Sequence, residues 1–358
     1  MFLERLFYRT ISPQRRFFHL PLYFILKVLS GIYFFGVCLR LWAYRSGLFH
    51  SRRLDCRVIS VGNLTLGGTG KTPFVIMVAE TLRGNGRRPA ILSRGYGGRS
   101  IAPVNVVCDG ERILMSPEEA GDEPVMMAQR LKNVPILTGP ERFVTGRYAM
   151  DHFEIDTLVL DDGFQHLALC RDLDILLLDH NRPFGNGNLF PAGELREPLR
   201  EARRADKVCI TRYSGNQPTR GIDSRLLGNI PIMRTGLRLD AMVAMGTGEV
   251  RDPEFVGGKK IAAFCGIARP EDFIQVLEDK RARVVWWRGF PDHHVYSPSD
   301  LKAIEKEARA AGAELVVTTE KDGVKVESGW MAQLPLYKAA IDLEILEGRE
   351  AFNRDLLN

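Results

Sequence analysis

The segment that most constrains the fold is a glycine-rich loop between two apolar stretches. The loop reads TLGGTGKT and consists of Thr65, Leu66, Gly67, Gly68, Thr69, Gly70, Lys71 and Thr72. Val58, Ile59 and Val61 before it predict a buried strand, and the apolar periodicity after it predicts a helix over residues 71–84. A strand, a glycine-rich loop and a helix in this order are the context of a phosphate-binding P-loop.

Each part of this loop has a chemical reason in a nucleotide-binding protein. Glycines allow backbone N–H groups to turn toward phosphate oxygens, and the helix N-terminus adds its dipole. Lys71 then supplies a positive charge to the β- and γ-phosphates, and Thr72 supplies a hydroxyl to Mg²⁺. The usual pattern has glycine at the first position, where this chain has Thr65. The alternative is a glycine-rich turn that binds no ligand.

A second apolar run, residues 155–160, ends in the acidic pair Asp161 and Asp162. A strand that ends in a carboxylate downstream of a P-loop is typical of a Walker B element, which holds the Mg²⁺ that bridges the phosphates. The pattern does not decide which of the two carboxylates contacts the metal. The alternative is a solvent-exposed turn.

The rest of the chain alternates predicted strands and helices, which indicates an α/β fold. Its 358 residues allow about two domains. We predict a three-layer domain of the P-loop NTPase type over residues 54–225 and a smaller α/β domain over residues 226–358. Among the shorter segments, residues 111–114 predict a brief strand and residues 199–204 a basic helix.

The first 53 residues are basic and apolar, and Glu4 is the only acid among them. The basic residues are Arg5, Arg9, Arg15, Arg16, Lys27, Arg40, Arg45, Arg52 and Arg53. Such a terminus favours an anionic membrane surface or an acidic substrate over nucleic acid. For the apolar stretch 17–44, the alternatives are a helix lying in the membrane interface, a single span, and a helix packed on its own domain. Each leaves the P-loop domain in the cytoplasm.

The cysteines and the paired histidines carry less information. The six cysteines are scattered without a C-x-x-C pair, which argues against a disulfide framework or a zinc site and fits a reducing compartment. His293 and His294 follow Asp292 in a predicted loop. Adjacent histidines make a poor metal pair, so an acid–base or positioning role is the functional interpretation. The alternative is a pair of surface histidines.

Three further motifs contain candidate site residues. Asp122 in GDEP precedes a predicted helix, where its simplest interpretation is a helix cap. Tyr96 in RGYGG either stacks on a sugar or closes over a ligand, or packs under its own loop. Arg196 in ELREP follows a long loop rich in Gly, Asn and Pro, and its guanidinium has the geometry to bind a phosphate through two hydrogen bonds.

The motifs together are more specific than any one of them. GNLTLGGTGKTP, SRGYGG, GDEP, LDDGFQH, PAGELREP, DHH-x-Y and TEKD follow one another after an apolar N-terminal segment. In this order the chain resembles the tetraacyldisaccharide 4′-kinase family, the kinases of lipid A assembly in Gram-negative bacteria. That family also has threonine at the first P-loop position, so Thr65 fits the resemblance.

The resemblance implies roles for individual residues. It implies that Asp122 and His293 form a catalytic dyad, with Asp292 orienting the histidine and Lys71 acting on the phosphates. Tyr96, Arg196 and Glu123 would belong to the surroundings of the substrate. Asp161 and Asp162 match the family's Walker B pair.

The resemblance also implies the reaction and its location. The γ-phosphoryl group of ATP would pass, with Mg²⁺, to the 4′-hydroxyl of a tetraacyldisaccharide 1-phosphate and form lipid IVA. The implied partners are this glycolipid and the inner-membrane surface, on whose cytoplasmic face the N-terminal helix (residues 1–53) would anchor the enzyme. No nucleic acid and no protein partner is implied.

Two other classes of function compete with this interpretation. One is a membrane-associated ATPase or GTPase that switches protein partners. The chain lacks the N-K-x-D motif of guanine specificity, for which residues 319–322 (TEKD) are a poor substitute. The other is a membrane scaffold with a degenerate nucleotide site, which the intact Lys71, Thr72 and Asp161 argue against.

Overall fold

The computed structural model describes residues 2–12, 17–213, 222, 224–292, 294–326 and 333–358. Contacts divide the chain into two compact units, and neither unit is continuous along the sequence. The first unit contains residues 1–92, 141–236 and 345–358, and the second contains residues 93–140 and 237–344. The segment with the RGYGG and GDEP motifs therefore groups with the segment that contains DHH and TEKD.

The strands and helices alternate along most of the chain. The strands are β1 (Arg57–Asn63), β2 (Pro89–Ser93), β3 (Asn105–Cys108), β4 (Ile136–Thr138), β5 (Thr157–Asp161), β6 (Leu173–Asp179), β7 (Lys207–Thr211), β8 (Ile232–Ala244), β9 (Val250–Arg251), β10 (Lys260–Cys265), β11 (Arg283–Gly289), β12 (Leu315–Thr319) and β13 (Leu336–Glu347). The α-helices are α1 (Phe2–Ile11), α2 (Leu20–Arg45), α3 (Lys71–Gly84), α4 (Pro117–Ala120), α5 (Asp122–Arg130), α6 (Arg142–His152), α7 (Ser224–Leu227), α8 (Pro270–Asp279), α9 (Pro298–Ala310), α10 (Glu320–Val326) and α11 (Arg349–Leu357). Short 3-10 helices cover Phe17–His19, Leu199–Arg204 and Pro253–Val256.

The first unit is built on a parallel sheet in which β1 lies between β5 and β6. The strand order is β8-β7-β6-β1-β5-β2, and all of these neighbours run parallel. Val61 of β1 lies opposite Asp161 of β5. Because the carboxyl ends of parallel strands meet at one edge of a sheet, the loop after β1 and the acidic pair after β5 emerge side by side.

Apolar layers cover this sheet, as the predicted three-layer fold requires. Helix α3 packs on β1 and β5, and its Phe74 is fully buried. Helix α6 approaches the sheet at Gly146, where a Cβ atom would lie 3.0 Å from Leu158 Cδ1. A separate cluster packs Leu176 and Leu178 of β6 against segment 184–205.

The second unit repeats the three layers on a smaller sheet. Strands β11, β10, β12 and β13 pair in parallel in that order. Alternate residues of β10 face opposite clusters: Ala263 packs with α8, and Phe264 packs with α9. Since side chains alternate across a strand, α8 and α9 cover opposite faces of the sheet. The predicted α/β class is thus confirmed in both units.

Two of the shorter predictions are wrong. Residues 111–114 do not form a strand, because only Ile113 makes an isolated bridge, to Cys108. Residues 199–204 form a 3-10 helix in place of the predicted basic α-helix. Helix α10 was not predicted at all: its sequence, EKDGVKV, is short and mostly polar, so it shows no apolar period.

Helix α2 is fastened to the first unit by polar side chains along its length. Ser30 Oγ donates to the carbonyl of Leu189 at 2.8 Å, and Tyr33 Oη donates to the carbonyl of Arg196 at 2.9 Å. Near its end, Arg40 Nη2 lies 2.6 Å from Glu197 Oε1. One face of the helix is therefore committed to the protein.

The opposite face of α2 exposes an apolar stripe. It consists of Phe24, Ile25, Val28, Ile32, Phe35, Leu39 and Trp42, all at least half exposed. The most apolar 18-residue window of this helix is only 11% buried, and its length and composition are sufficient to cross a membrane. Helix α2 thus packs on its own unit through one face and leaves an apolar face exposed, which could anchor the chain to a membrane.

Two fully buried carboxylates anchor the end of this helix. The side chains of Glu197 and Glu201 have no exposed surface. Arg204 lies between them, 2.8 Å from an oxygen of each, and Arg45 of α2 lies 2.7 Å from Glu201 Oε2. Burial favours the neutral form of Glu201, but hydrogen bonds from Arg204 and Arg45 outweigh it and lower the pKa of the carboxyl.

We predict that Arg204→Met lowers the free energy of unfolding by about 3–5 kcal/mol, because it removes the cation shared by two buried carboxylates. Arg200 also pairs with Glu201, at 3.4 Å, but its side chain is 60% exposed. Arg200→Met should therefore lower the free energy of unfolding by less than about 1 kcal/mol. Urea denaturation in detergent micelles, followed by tryptophan fluorescence, measures both, and equal midpoints would contradict the prediction.

Candidate active site

The glycine-rich loop has the backbone geometry of a phosphate-binding site. It joins β1 to α3, and Lys71 is the first residue of that helix. Gly67 and Gly70 have φ angles of 98° and 80°, in the left-handed region that glycine adopts without strain. Gly70 also occupies the N-cap position, so the first backbone N–H groups of α3 are directed toward the loop. The predicted strand–loop–helix arrangement is confirmed.

Polar side chains at the ends of β1 and β7, which lie on either side of β6, brace this loop. Asn63 Nδ2 donates to Thr69 Oγ1, and Thr211 Oγ1 donates to the carbonyl of Thr69, both at 2.9 Å. Arg212 Nη1 donates to the carbonyl of Gly68 at 3.0 Å and lies 2.5 Å from Asp179 Oδ2. The carbonyls of Gly68 and Thr69 are thus held by side-chain donors, which fixes the backbone of the loop at these two residues.

The ELREP segment forms a second wall beside the loop. The N–H of Leu66 donates to the carbonyl of Glu194 at 2.7 Å, and the N–H of Arg196 donates to the carbonyl of Leu64 at 2.8 Å. These bonds flank an antiparallel bridge between Thr65 and Leu195. The backbone therefore brings Arg196 to the P-loop, although 123 residues of chain separate Thr72 from it.

The acidic pair after β5 is split between two environments. Asp161 is the last residue of the strand and is 3% exposed. Asp162 has a φ of 54° and turns toward two cations, Lys71 at 3.5 Å and Arg196 at 2.8 Å. Burial alone would raise the pKa of Asp162, but the charges of Lys71 and Arg196 lower it to about 2. The alternative of a solvent-exposed turn is wrong.

The donor set at this edge fits Mg²⁺. This ion prefers oxygen ligands and usually retains several waters and substrate phosphates, so it needs few protein groups. Thr72 offers a hydroxyl that is 8% exposed, and Asp161 offers a buried carboxylate. Asp162 is already engaged by two cations, so the chemistry favours Asp161 as the carboxylate that would contact the metal.

In the second unit, Asp122 is the first residue of α5 and does not cap it. The N-cap residue is Gly121, which has no side chain, so the prediction that Asp122 occupies the N-cap position is wrong by one residue. Asp122 Oδ2 instead lies 3.2 Å from Lys325 Nζ, with 13% of the Asp122 side chain exposed.

The next GDEP residue shares a lysine with the DHH loop. Lys321 Nζ lies 3.1 Å from Glu123 Oε1 and 3.0 Å from Asp292 Oδ1. His293, the predicted partner of Asp122, lies outside the described residues. His294 stacks on Phe290 and lies 3.3 Å from Asp300, which gives it a structural environment.

Tyr96 and the RGYGG loop lie against the GDEP backbone in the same unit. A Cβ atom at Gly121 would lie 2.5 Å from the carbonyl oxygen of Tyr96, and one at Gly98 would lie 2.5 Å from the carbonyl oxygen of Glu119. The side chain of Tyr96 is 71% exposed, so it does not pack under its own loop. The prediction that it stacks on a sugar or closes over a ligand is compatible with this exposure.

Sequence reasoning missed several residues that shape both sites. Thr211 ends β7 and Arg212 follows it, and a polar residue after a parallel strand two places from β1 is a signal that could have indicated them. Lys321 lies in TEKD and Lys325 follows it, but the motif itself does not indicate that both lysines face acidic residues. Their spacing of four residues, one helical turn, is the signal that they share a face.

Comparisons with known proteins extend over nearly the whole chain. A sequence model of the tetraacyldisaccharide-1-P 4′-kinase family matches residues 22–358. A tetraacyldisaccharide 4′-kinase of Syntrophus aciditrophicus is 47% identical over 91% of this chain and 90% of its own length. The corresponding protein of Geobacter sulfurreducens is 41% identical over 90% of each chain.

A solved structure is similar in fold as well. The structure of LpxK from Aquifex aeolicus in complex with ATP matches with a TM-score of 0.77 and 30% sequence identity. The match covers 94% of this chain and 98% of that chain. The similarity therefore includes the segments of both units that contain the motifs.

We predict that Arg212→Met weakens the affinity for adenine nucleotide about tenfold, because the Gly68 carbonyl loses a charged donor and the loop loses a brace. Arg238→Met is the control, since Arg238 is 51% exposed and pairs only with nearby Asp240 in the structure. Titration with a fluorescent ATP analogue measures both affinities. A native dissociation constant for Arg212→Met would show that the loop holds its shape without this contact.

Proposed function

The chain belongs to the tetraacyldisaccharide-1-P 4′-kinase family, and we propose that it transfers the γ-phosphoryl group of ATP to the 4′-hydroxyl of a tetraacyldisaccharide 1-phosphate. The product would be lipid IVA, so the reaction belongs to lipid A biosynthesis. The family membership agrees with the resemblance drawn from the motifs. The observation that carries the proposal is the pairing of Lys71 with Asp162 at adjacent strand ends, beside a loop whose amides are available to phosphates.

The residues of the P-loop hold the donor in this proposal. Backbone N–H groups of residues 67–72 bind the phosphates, together with the N-terminus of α3. Lys71 leaves Asp162 to contact the β- and γ-phosphates, where its charge stabilises the charge that develops during transfer. Thr72 and Asp161 would hold Mg²⁺, which neutralises phosphate charge when it is bound.

Asp122 accepts the proton of the acceptor in the proposed reaction. The 4′-oxygen forms a bond to the γ-phosphorus while the bond from that phosphorus to the ADP oxygen breaks. The hydroxyl proton passes to the Asp122 carboxylate and later to water, and ADP leaves with the electron pair. His293 would assist Asp122, with Asp292 orienting it, as the family resemblance implies.

Three residues are proposed to contact the substrate. Tyr96 has the exposed ring needed to stack on a sugar. Arg196 has a guanidinium suited to a phosphate, although in this structure it is bound to Asp162. The carboxylate of Glu123 would accept a hydrogen bond from a sugar hydroxyl, and its ion pair with Lys321 sets its position.

Helix α2 supplies the contact with the membrane. Its protein-facing side chains bind segments 188–189 and 196–201 along most of its length. If α2 crossed the bilayer, these irregular segments would enter hydrocarbon, where their backbone groups have no partners. We therefore propose that α2 lies in the interface at the cytoplasmic face of the inner membrane, with its apolar stripe in the acyl region.

An apolar cavity at the start of α2 fits an acylated substrate. Its volume is about 790 Å³, and it is lined by Phe17, Leu20, Pro21, Tyr23, Phe24 and Lys27. Aliphatic chains bind such surfaces because their burial removes apolar area from water. A substrate whose acyl chains lie here would remain attached to the membrane during the reaction.

The partner-switch and scaffold alternatives explain less of the chain. A nucleotide switch needs no carboxylate held at the position of Asp122, and a scaffold needs no lysine directed at a Walker B carboxylate. A membrane-associated switch would use the apolar stripe and the P-loop but would leave Asp122 without a role, and a scaffold would leave both Asp122 and Lys71 without one. The kinase accounts for all three features.

Phosphoryl transfer is the direct test. With γ-labelled ATP, Mg²⁺ and tetraacyldisaccharide 1-phosphate in detergent micelles, label should enter a bis-phosphorylated lipid. Lys71→Ala should lower kcat about 100- to 1000-fold, because it removes a charge that acts in the transition state. Lys302→Ala, at an exposed position of α9, should leave kcat unchanged.

The form of the released label separates the alternatives. Label found only as free phosphate, with or without the lipid, would support an ATPase and contradict the kinase. Unchanged lipid phosphorylation by Lys71→Ala would instead contradict the proposed role of the P-loop lysine.

A second experiment tests the membrane contact. The triple variant Phe24→Ser/Ile32→Ser/Phe35→Ser should reduce binding to phosphatidylglycerol vesicles at least about 100-fold, because each side chain contributes roughly 1.5–3 kcal/mol of burial. Ile101→Ser/Val250→Ser/Val295→Ser removes three exposed apolar residues elsewhere and is the control. Vesicle flotation measures both, and equal binding of the two variants would refute the contact through α2.

A further inference from the structure

Both acidic residues of the GDEP motif face lysines of one helix. Helix α10 packs against α5 in the second unit. Lys325 Nζ lies 3.2 Å from Asp122 Oδ2, and Lys321 Nζ lies 3.1 Å from Glu123 Oε1. The two lysines are four residues apart, so they project from the same face of α10. Apolar contacts alone would be sufficient to pack these two helices, so the two aligned ion pairs indicate a further role.

Lys325 is held in place by a fully buried carboxylate. Its Nζ lies 3.1 Å from Asp322 Oδ1, and its side chain is 8% exposed. Asp322 Oδ2 accepts the N–H of Gly266 at 2.8 Å and the hydroxyl of Thr319 at 2.7 Å. Asp322 is therefore fixed by the ends of β10 and β12, and it determines where the Lys325 ammonium lies.

A buried aromatic ring completes the surroundings of this ammonium. The ring of Tyr296 lies 5.6 Å from Lys325 Nζ, within the range of a cation–π contact. Burial, and next the charge of Asp322, raise the pKa of the Tyr296 phenol, so it stays neutral. The charged groups around Lys325 are thus Asp122 on one side and Asp322 on the other.

Lys321 joins the GDEP motif to the DHH loop. Besides Glu123, its Nζ contacts Asp292 Oδ1 at 3.0 Å, and its side chain is 13% exposed. Burial would lower the pKa of Lys321, but the charges of Glu123 and Asp292 raise it to about 12. Because this value exceeds that of the unfolded chain, the stabilisation is fully present at neutral pH and is lost only as the pH rises through about 12.

We propose that α10 is a positioning element for proton transfer, in which Lys325 orients the carboxylate of Asp122 and Lys321 fixes Glu123 against Asp292. The inference rests on the proposed function, in which Asp122 accepts the proton of the acceptor hydroxyl. A general base works only within hydrogen-bond reach of its proton, so a carboxylate free to rotate loses rate. Lys325 acts through Asp122 and does not contact the substrate.

The same helix pair contains a matched control. At the far end of α5, Arg130 Nη1 lies 3.1 Å from Glu320 Oε2, and both side chains are 14% exposed. This ion pair joins α5 to α10 as the lysine pairs do, but Arg130 lies at the opposite end of α5 from Asp122 and also binds Asp342 of β13. If α10 only stabilises the fold, Arg130→Met and Lys325→Met should have the same effect on kcat.

Steady-state kinetics of the full-length enzyme in mixed micelles provides the test. Lys325→Met should lower kcat about 100-fold, the contribution of a positioned base, while KM for ATP and for the lipid changes less than about threefold. Lys325→Arg keeps the charge and should recover kcat to within about tenfold of the native value. Arg130→Met should retain native kcat even if its thermal midpoint falls as far as that of Lys325→Met.

A second variant keeps the test decisive if Lys325→Met does not fold. Asp322→Asn retains the volume of the side chain but removes the charge that holds Lys325. It should lower kcat about tenfold with unchanged KM values, because the ammonium loses its anchor and Asp122 loses its fixed orientation.

The possible failures are distinguishable. Native kcat in the folded Lys325 and Asp322 variants, with kcat lost in Asp122→Asn, would overturn the positioning role and leave the proposed base in place. Equal losses in Arg130→Met and Lys325→Met would overturn it as well. Native kcat in Asp122→Asn would refute the base itself, and the inference with it.

Discussion

The parallel pairing of β1 with β5 is the constraint on which the nucleotide edge depends, that is, the edge of the first sheet where the P-loop and the acidic pair Asp161 and Asp162 lie. It sets Val61 opposite Asp161, so the loop after β1 begins beside the carboxylates that end β5. Without this register, Lys71 would not reach Asp162, and Thr72 and Asp161 would not share one edge of the sheet. The apolar residues that bury the two strands thus determine where the charged groups meet. The chemistry of the site follows from the hydrophobic pattern of the sheet.

Two consecutive residues of the ELREP segment connect this edge to helix α2. Arg196 binds Asp162, and the next residue, Glu197, binds Arg40 of α2. Tyr33 of α2 also donates to the backbone carbonyl of Arg196. A displacement of α2 from the first unit would therefore disturb a cation that contacts the Walker B pair. Through the ELREP segment, Arg40 and Tyr33 of α2 are thus connected to the cation beside Asp162, which gives Arg40 a structural role on an otherwise apolar helix.

The sequence was sufficient for the parts of the structure that depend on local pattern. The P-loop with its flanking strand and helix, the acidic pair after β5 and the α/β alternation all follow from apolar periodicity and glycine spacing. Contacts between distant segments could not be predicted in this way. Nothing near Asp122 in sequence indicates Lys325, since 202 residues separate them and α10 has no apolar period. The strand predicted for residues 111–114 is wrong for the opposite reason. The local pattern is that of a strand, but in the structure only Ile113 pairs, in an isolated bridge to Cys108.

The two units hold their functional carboxylates by opposite arrangements of charge. In the first unit one carboxylate, Asp162, faces two cations, and its pKa falls to about 2. In the second unit one cation, Lys325, faces two carboxylates, Asp122 and Asp322. An excess of positive charge suits a group that meets phosphates, because the cations can turn to the ligand while the carboxylate stays ionised. In the proposed reaction Asp122 accepts a proton, and there a second carboxylate, Asp322, shares the cation that faces it. The difference in local charge thus fits the two roles that we propose for aspartates of this chain, beside phosphates and Mg²⁺ in one unit and as the proton acceptor in the other.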